Sequence, residues 1–193
     1  MLRAHVQRLN AWINEVPPGL TLEEQEWSVF RNMSSAIPIF LHASQAFVFG
    51  FLGVYWMMLY CLLASPISGG ALWLNKSGRG FAAMVVMQVE LVGMFCLGTT
   101  LYGLEAGFAY NLPLMAIAPL FNFPRSSRRR TVQAACGLTA AAFVVSVATA
   151  IWFTPIPLAP DDLMLLFWLN IFTTAVNLIG FTSNVEVLFF KRS

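Results

Sequence analysis

The chain has 193 residues, 58% hydrophobic and only 10% charged, where an average soluble domain carries roughly 25% charge; the composition is that of a membrane protein. Six spans of about 20 residues take about 120, which leaves no room for a soluble catalytic domain. A formal net charge of +2 argues against a nucleic-acid partner, and Cys61, Cys96 and Cys136, all in apolar runs, are expected to be buried thiols rather than a disulfide framework.

Residues 1–32 form an amino-terminal segment with Arg3, Arg8, Glu15, Glu23, Glu24, Glu26 and Arg31 ahead of the first apolar run near Met33, so no secretory signal is expected. Val6, Leu9, Trp12, Ile13 and Val16 recur at helical spacing. They predict a short amphipathic helix on the inner leaflet, ended by Pro17, Pro18 and Gly19. It serves as an anchoring segment or as a partner-binding helix. Thr21 and Glu24 have capping-box spacing for a second helix running into the first span.

Residues 32–75 hold no Lys, Arg, Asp or Glu and are long enough for one helix and a loop or for two helices. Charge decides between them. The 11 Lys and Arg residues fall in four groups: Arg3, Arg8 and Arg31; Lys76 and Arg79; Arg125, Arg128, Arg129 and Arg130; Lys191 and Arg192. Basic loops stay cytoplasmic, and two helices between Arg31 and Lys76 put every group on one side. The expectation is an all-α, six-helix transmembrane bundle over 33–190, with spans near 33–52, 54–74, 81–101, 107–124, 132–153 and 163–190 and both termini cytoplasmic. The outer turns, near Gly50 to Val54, at Glu105 and over Pro155 to Asp162, contain no Lys or Arg. Tyr55, Trp56, Tyr102, Tyr110 and Trp152 fall near one expected interface and Trp73 near the other, as aromatic belts require.

Chemistry-bearing patterns are scarce. Two histidines and three scattered cysteines give no metal-ligand spacing, and no paired histidines for a membrane haem. There is no phosphate-binding loop or nucleophile elbow, so neither metal nor other cofactor is expected. Asp161 and Asp162 precede the last span, where they suit its positive end.

Within the bilayer, Glu90 sits near the middle of the third span, about 15 Å in at 1.5 Å per residue. An ionisable group at that depth is a functional-site hypothesis by default; the alternative is a structural hydrogen bond. His42, halfway along the first span, and Gln88 are its candidate partners. Asn170, Asn177 and Asn184 repeat at intervals of seven in the last span, with Thr173 and Thr174 between. This is a polar seam of 3.5-residue period that serves either packing within one subunit or a homodimer contact. Ala142, Ser146 and Ala150 form a small-residue packing ridge. Pro113 and Pro119 are expected to interrupt the fourth span. Arg125, Arg128, Arg129 and Arg130 read as a topogenic, headgroup-binding loop.

Glu90, then Gly103-Leu104-Glu105-Ala106-Gly107-Phe108-Ala109-Tyr110, then Pro119-Leu120-Phe121 resemble the third and fourth helices of six-helix membrane domains that precede bacterial class III adenylate cyclases and GGDEF diguanylate cyclases. His42 resembles a first-helix histidine of that family, and Asn75 to Gly80 falls at its short basic inner loop. Many relatives carry a second histidine three residues after the glutamate, where this chain has Gly93. The resemblance implies a sensor and anchor in the bacterial inner membrane, a homodimer in contact with lipid, and an unknown small or lipophilic ligand near Glu90 and His42. It also implies a helical linker and cytoplasmic cyclase domain after Lys191, Arg192 and Ser193, with adenylate cyclase favoured. No catalytic residue of a cyclase is in this chain. The alternatives are a small-solute transporter subunit, with Glu90 and the broken fourth helix as a pathway, and a passive dimeric scaffold.

Overall fold

The computed structural model describes residues 7–8, 11–122 and 129–189 and is all-helical over them. After a helical turn at 11–14 come α1 (Leu22–Phe51), α2 (Tyr55–Lys76) and α3 (Gly80–Tyr102). Two 3-10 turns, Leu104–Ala106 and Phe108–Tyr110, lead into α4 (Asn111–Asn122), followed by α5 (Arg129–Trp152) and α6 (Pro160–Phe189). Glu24–Phe51, Tyr55–Lys76, Gly80–Tyr102 and Arg130–Trp152 are long and apolar enough to cross a membrane. The protein is therefore all-helical with four candidate spans. At 12 residues, α4 rises about 18 Å, short of a roughly 30 Å hydrocarbon core. The chain forms two compact units, Met1–Glu90 and Leu91–Ser193, divided inside α3.

In the first unit the ambiguous 32–75 stretch is two antiparallel helices joined by a tight turn at 52–54. The helix expected at the Thr21–Glu24 capping box begins at Leu22 and runs on through the span placed at 33–52; Glu24 N donates to Thr21 Oγ1 at 3.3 Å and Thr21 N to Glu24 Oε2 at 2.9 Å. Against α2, α1 buries Ser28, Asn32, Ser35, Ala36, His42, Ala46 and Phe49, while α2 buries Met57, Cys61, Ala64, Ser68, Ala71 and Asn75. Steps of three, four and seven give the 3.5-residue period of helices packed side by side. Alanine and serine along the seam let the backbones approach closely; Ser65 Oγ donates across it to the Ile39 carbonyl at 3.1 Å.

In the second unit the expected fourth helix, 107–124, starts later than its apolar run. Gly107 takes φ +84°, a left-handed conformation that ends the first 3-10 turn and is open to glycine at no steric cost. The regular helix begins only at Asn111. Pro113, expected to break it, lies in its first turn, where a missing N–H loses no intrahelical bond; Pro119 alone is interior. The Phe108 ring is fully buried and occupies the space a side chain at position 98 would need, so Gly98 on α3 is what admits it. α4 packs on α5 and α6. Ser146, in the small-residue ridge of α5, is buried, and Cys96 on α3 approaches the Ala142 carbonyl at 3.7 Å. Cys61 is buried as expected; Cys96 and Cys136 are only half-buried, a correction to the reading of all three as core thiols.

Candidate functional site

Glu90 lies one residue before the midpoint of the 23-residue α3, and the α1–α2 hairpin brings His42 to it. His42 Nε2 lies 3.1 Å from Glu90 Oε1, with the side chains 1% exposed each. The approach is close but not aligned as a hydrogen bond. Both ring nitrogens of His42 and both carboxylate oxygens of Glu90 are buried without a hydrogen-bond partner among the described residues. Tyr60, on α2, donates its hydroxyl to the Glu90 carbonyl at 2.6 Å and so holds α3 at this level. Gln45, one turn along α1 from His42, buries its Oε1 unpartnered, as Ser68 buries its Oγ on α2. An acid and a base in contact at the middle of a membrane helix are expensive to keep there. Their chemistry is to hold charge or to accept and donate hydrogen bonds to something polar. Gln88, two residues from Glu90, points elsewhere on α3, because neighbours two apart do not share a helix face.

A second polar cluster, at the basic end of the hairpin, escaped the sequence reading. Asn75 is buried at the end of α2; its Nδ2 donates to the Ser28 carbonyl at 2.8 Å and to Asn32 Oδ1 at 2.7 Å, and its Oδ1 accepts from Arg31 Nε at 2.6 Å. Asn32 then donates to the carbonyls of Ile13 at 2.7 Å and Glu15 at 3.0 Å. Lys76 Nζ donates to the Trp12 carbonyl, pairs with Glu15 Oε2 at 3.3 Å and stands 4.3 Å from the Trp12 ring centroid. The signal was present as the spacing Cys61, Ser68, Asn75 on α2 opposite Ser28, Ser35, His42 on α1. Beside Lys76, however, Asn75 reads as a loop residue.

In the second unit Asn170 is buried and its Nδ2 donates to the carbonyls of Ala106 and Leu166, both at 3.0 Å. Its Cβ would be 3.2 Å from any Cβ at Gly107, and Tyr110 meets Phe167 edge-on at 6.0 Å. The motif 103–110 thus lies against α6, and the Asn170 amide is engaged inside the subunit. Thr174 donates its hydroxyl back to the Asn170 carbonyl at 2.8 Å. The Asn177 and Asn184 side chains lie outside the described residues, as do Arg125, Arg128 and the side chain of Arg129; Arg130 is exposed. Asp161 and Asp162 occupy the first turn of α6, where the helix dipole favours them.

Comparison with protein-family models, with curated proteins and with solved structures gives no match to this chain; sequence and structure together establish a multi-pass, all-helical membrane protein with four candidate spans.

Proposed function

We propose that this chain is the membrane anchor and sensor domain of a bacterial nucleotide cyclase, an adenylate cyclase in preference to a diguanylate cyclase, working in the inner membrane as a homodimer. The observation that carries the reading is the buried His42–Glu90 contact, 3.1 Å across at mid-helix, in a chain whose sequence offers no other chemistry. A polar or lipophilic ligand that engages these two residues differently in two packings of the helices shifts the balance between them, and only that differential affinity transmits anything.

In this reading the chain crosses the bilayer six times with both termini cytoplasmic. The short α4 and its flanking residues form the fourth crossing, α6 the sixth, and the cyclase follows α6. The dimer seam runs along Thr174, Asn177 and Asn184, with Asn170 committed to packing within the subunit. The arginines from Arg125 to Arg130 bind headgroups of the inner leaflet.

The test joins the chain to a class III cyclase catalytic domain in native-like membranes and compares wild type with Glu90→Gln and His42→Gln. The expected outcome is a regulated activity that either variant shifts. Identical response in all three rejects the sensor. A transporter is favoured by one observation, the irregular 103–110 turn ahead of a half-length helix, since broken helices line solute sites; Glu90-dependent flux into liposomes would support it.

A further inference from the structure

The amino-terminal segment is held on the hairpin largely through its backbone carbonyls. Asn32 donates to the carbonyls of Ile13 and Glu15, acceptors that a helical turn leaves unsatisfied at its carboxyl end, and Lys76 to that of Trp12, which also accepts from Glu15 N at 3.3 Å. The seat therefore grips the backbone at the end of a helical turn, with the Glu15 carboxylate and the Trp12 ring as side-chain contacts of Lys76. One turn of helix does not persist alone in water, and the segment buries little here: Trp12 stays 46% exposed and the Glu15 side chain 70%. Pro17 and Pro18 separate it from α1, so it can leave without unwinding that helix.

The ion pair of Lys76 with Glu15 lies at the basic end of the hairpin, where Arg31 and Arg79 are neighbours in space or sequence. A leaflet rich in anionic headgroups attracts Lys76 and repels Glu15. Meanwhile the apolar stripe of Trp12, Ile13 and Val16 offers the released segment an alternative seat in the interface. We propose that residues 11–15 are a releasable strap, seated on the ends of α1 and α2 by Asn32, Asn75 and Lys76, and that an anionic lipid surface is the ligand that displaces it.

The test needs no attached enzyme, so it stands apart from the cyclase proposal. The full chain, with Cys61, Cys96 and Cys136 replaced by alanine, carries spin labels at Ala11→Cys and Ser77→Cys in nanodiscs of phosphatidylcholine alone or with about 30% phosphatidylglycerol. A short distance should dominate in the neutral bilayer, and the ratio of long to short distances should rise roughly fivefold with anionic lipid, the effect of about one interfacial charge. Lys76→Gln should abolish the dependence on lipid, and Asn32→Leu, which also removes an acceptor of Asn75, should give the long distance in both bilayers with the helical content retained at the temperature of measurement. Distances indifferent to lipid overturn the lipid as ligand. Distances unmoved by Asn32→Leu overturn the strap.

Discussion

Asn75 donates to Ser28 and Asn32 and accepts from Arg31 in a buried setting, so Asn75→Leu strands its partners on α1. The expected loss is about 1–3 kcal/mol, read as a lowered thermal midpoint of the purified chain in detergent; an unchanged midpoint would show the amide to be dispensable. Among the described residues, the side-chain polar atoms of His42 and Glu90 approach each other and have no hydrogen-bond partner. A double-mutant cycle with His42→Phe and Glu90→Leu should therefore give a coupling of about 0.6–2 kcal/mol, whereas strictly additive losses would mean the pair does not interact. Both residues stand out in the sequence because ionisable groups are rare at membrane depth. That they meet each other, and that Gln88 lies off the shared face, follows from helix rotation, which composition does not encode.

The boundaries of α1, α2 and α3 were legible because capping residues, basic clusters and glycine turns mark them. The fourth helix was not, because its apolar run begins before the backbone becomes regular. Gly107 sits at φ +84° with the Asn170 Cβ and Phe167 backbone within 3.3 Å of any added Cβ, so Gly107→Ala should cost about 1–3 kcal/mol. Gly137, on the exposed face of α5 with open space around it, is the matched control. Gly137→Ala should be neutral or stabilise by up to about 1 kcal/mol. Detergent unfolding of the two variants side by side checks this, and equal effects would refute the packing of the 103–110 turn on α6.

For the molecule as a whole, the proposed six-crossing topology makes a sided prediction. Cysteines at Ser77 and Thr131 should react with an impermeant reagent from the cytoplasmic face, and those at Glu105 and Pro157 from the opposite face. Ser77 and Thr131 on different faces would leave an odd number of crossings between the basic clusters and remove the cytoplasmic output that the proposed function requires.

The low charge and the placement of the basic clusters determined by themselves that this chain is helical and membranous, and that residues 32–75 double back. Those properties depend on length and solvation, which add up along a chain regardless of how helices meet. Which polar groups become partners was decided by the tertiary structure. Asn75 reaches Asn32, Asn170 reaches Ala106 and His42 reaches Glu90 only after each helix has settled into a rotation and register, and those are set by close packing of small and apolar side chains that no single segment specifies.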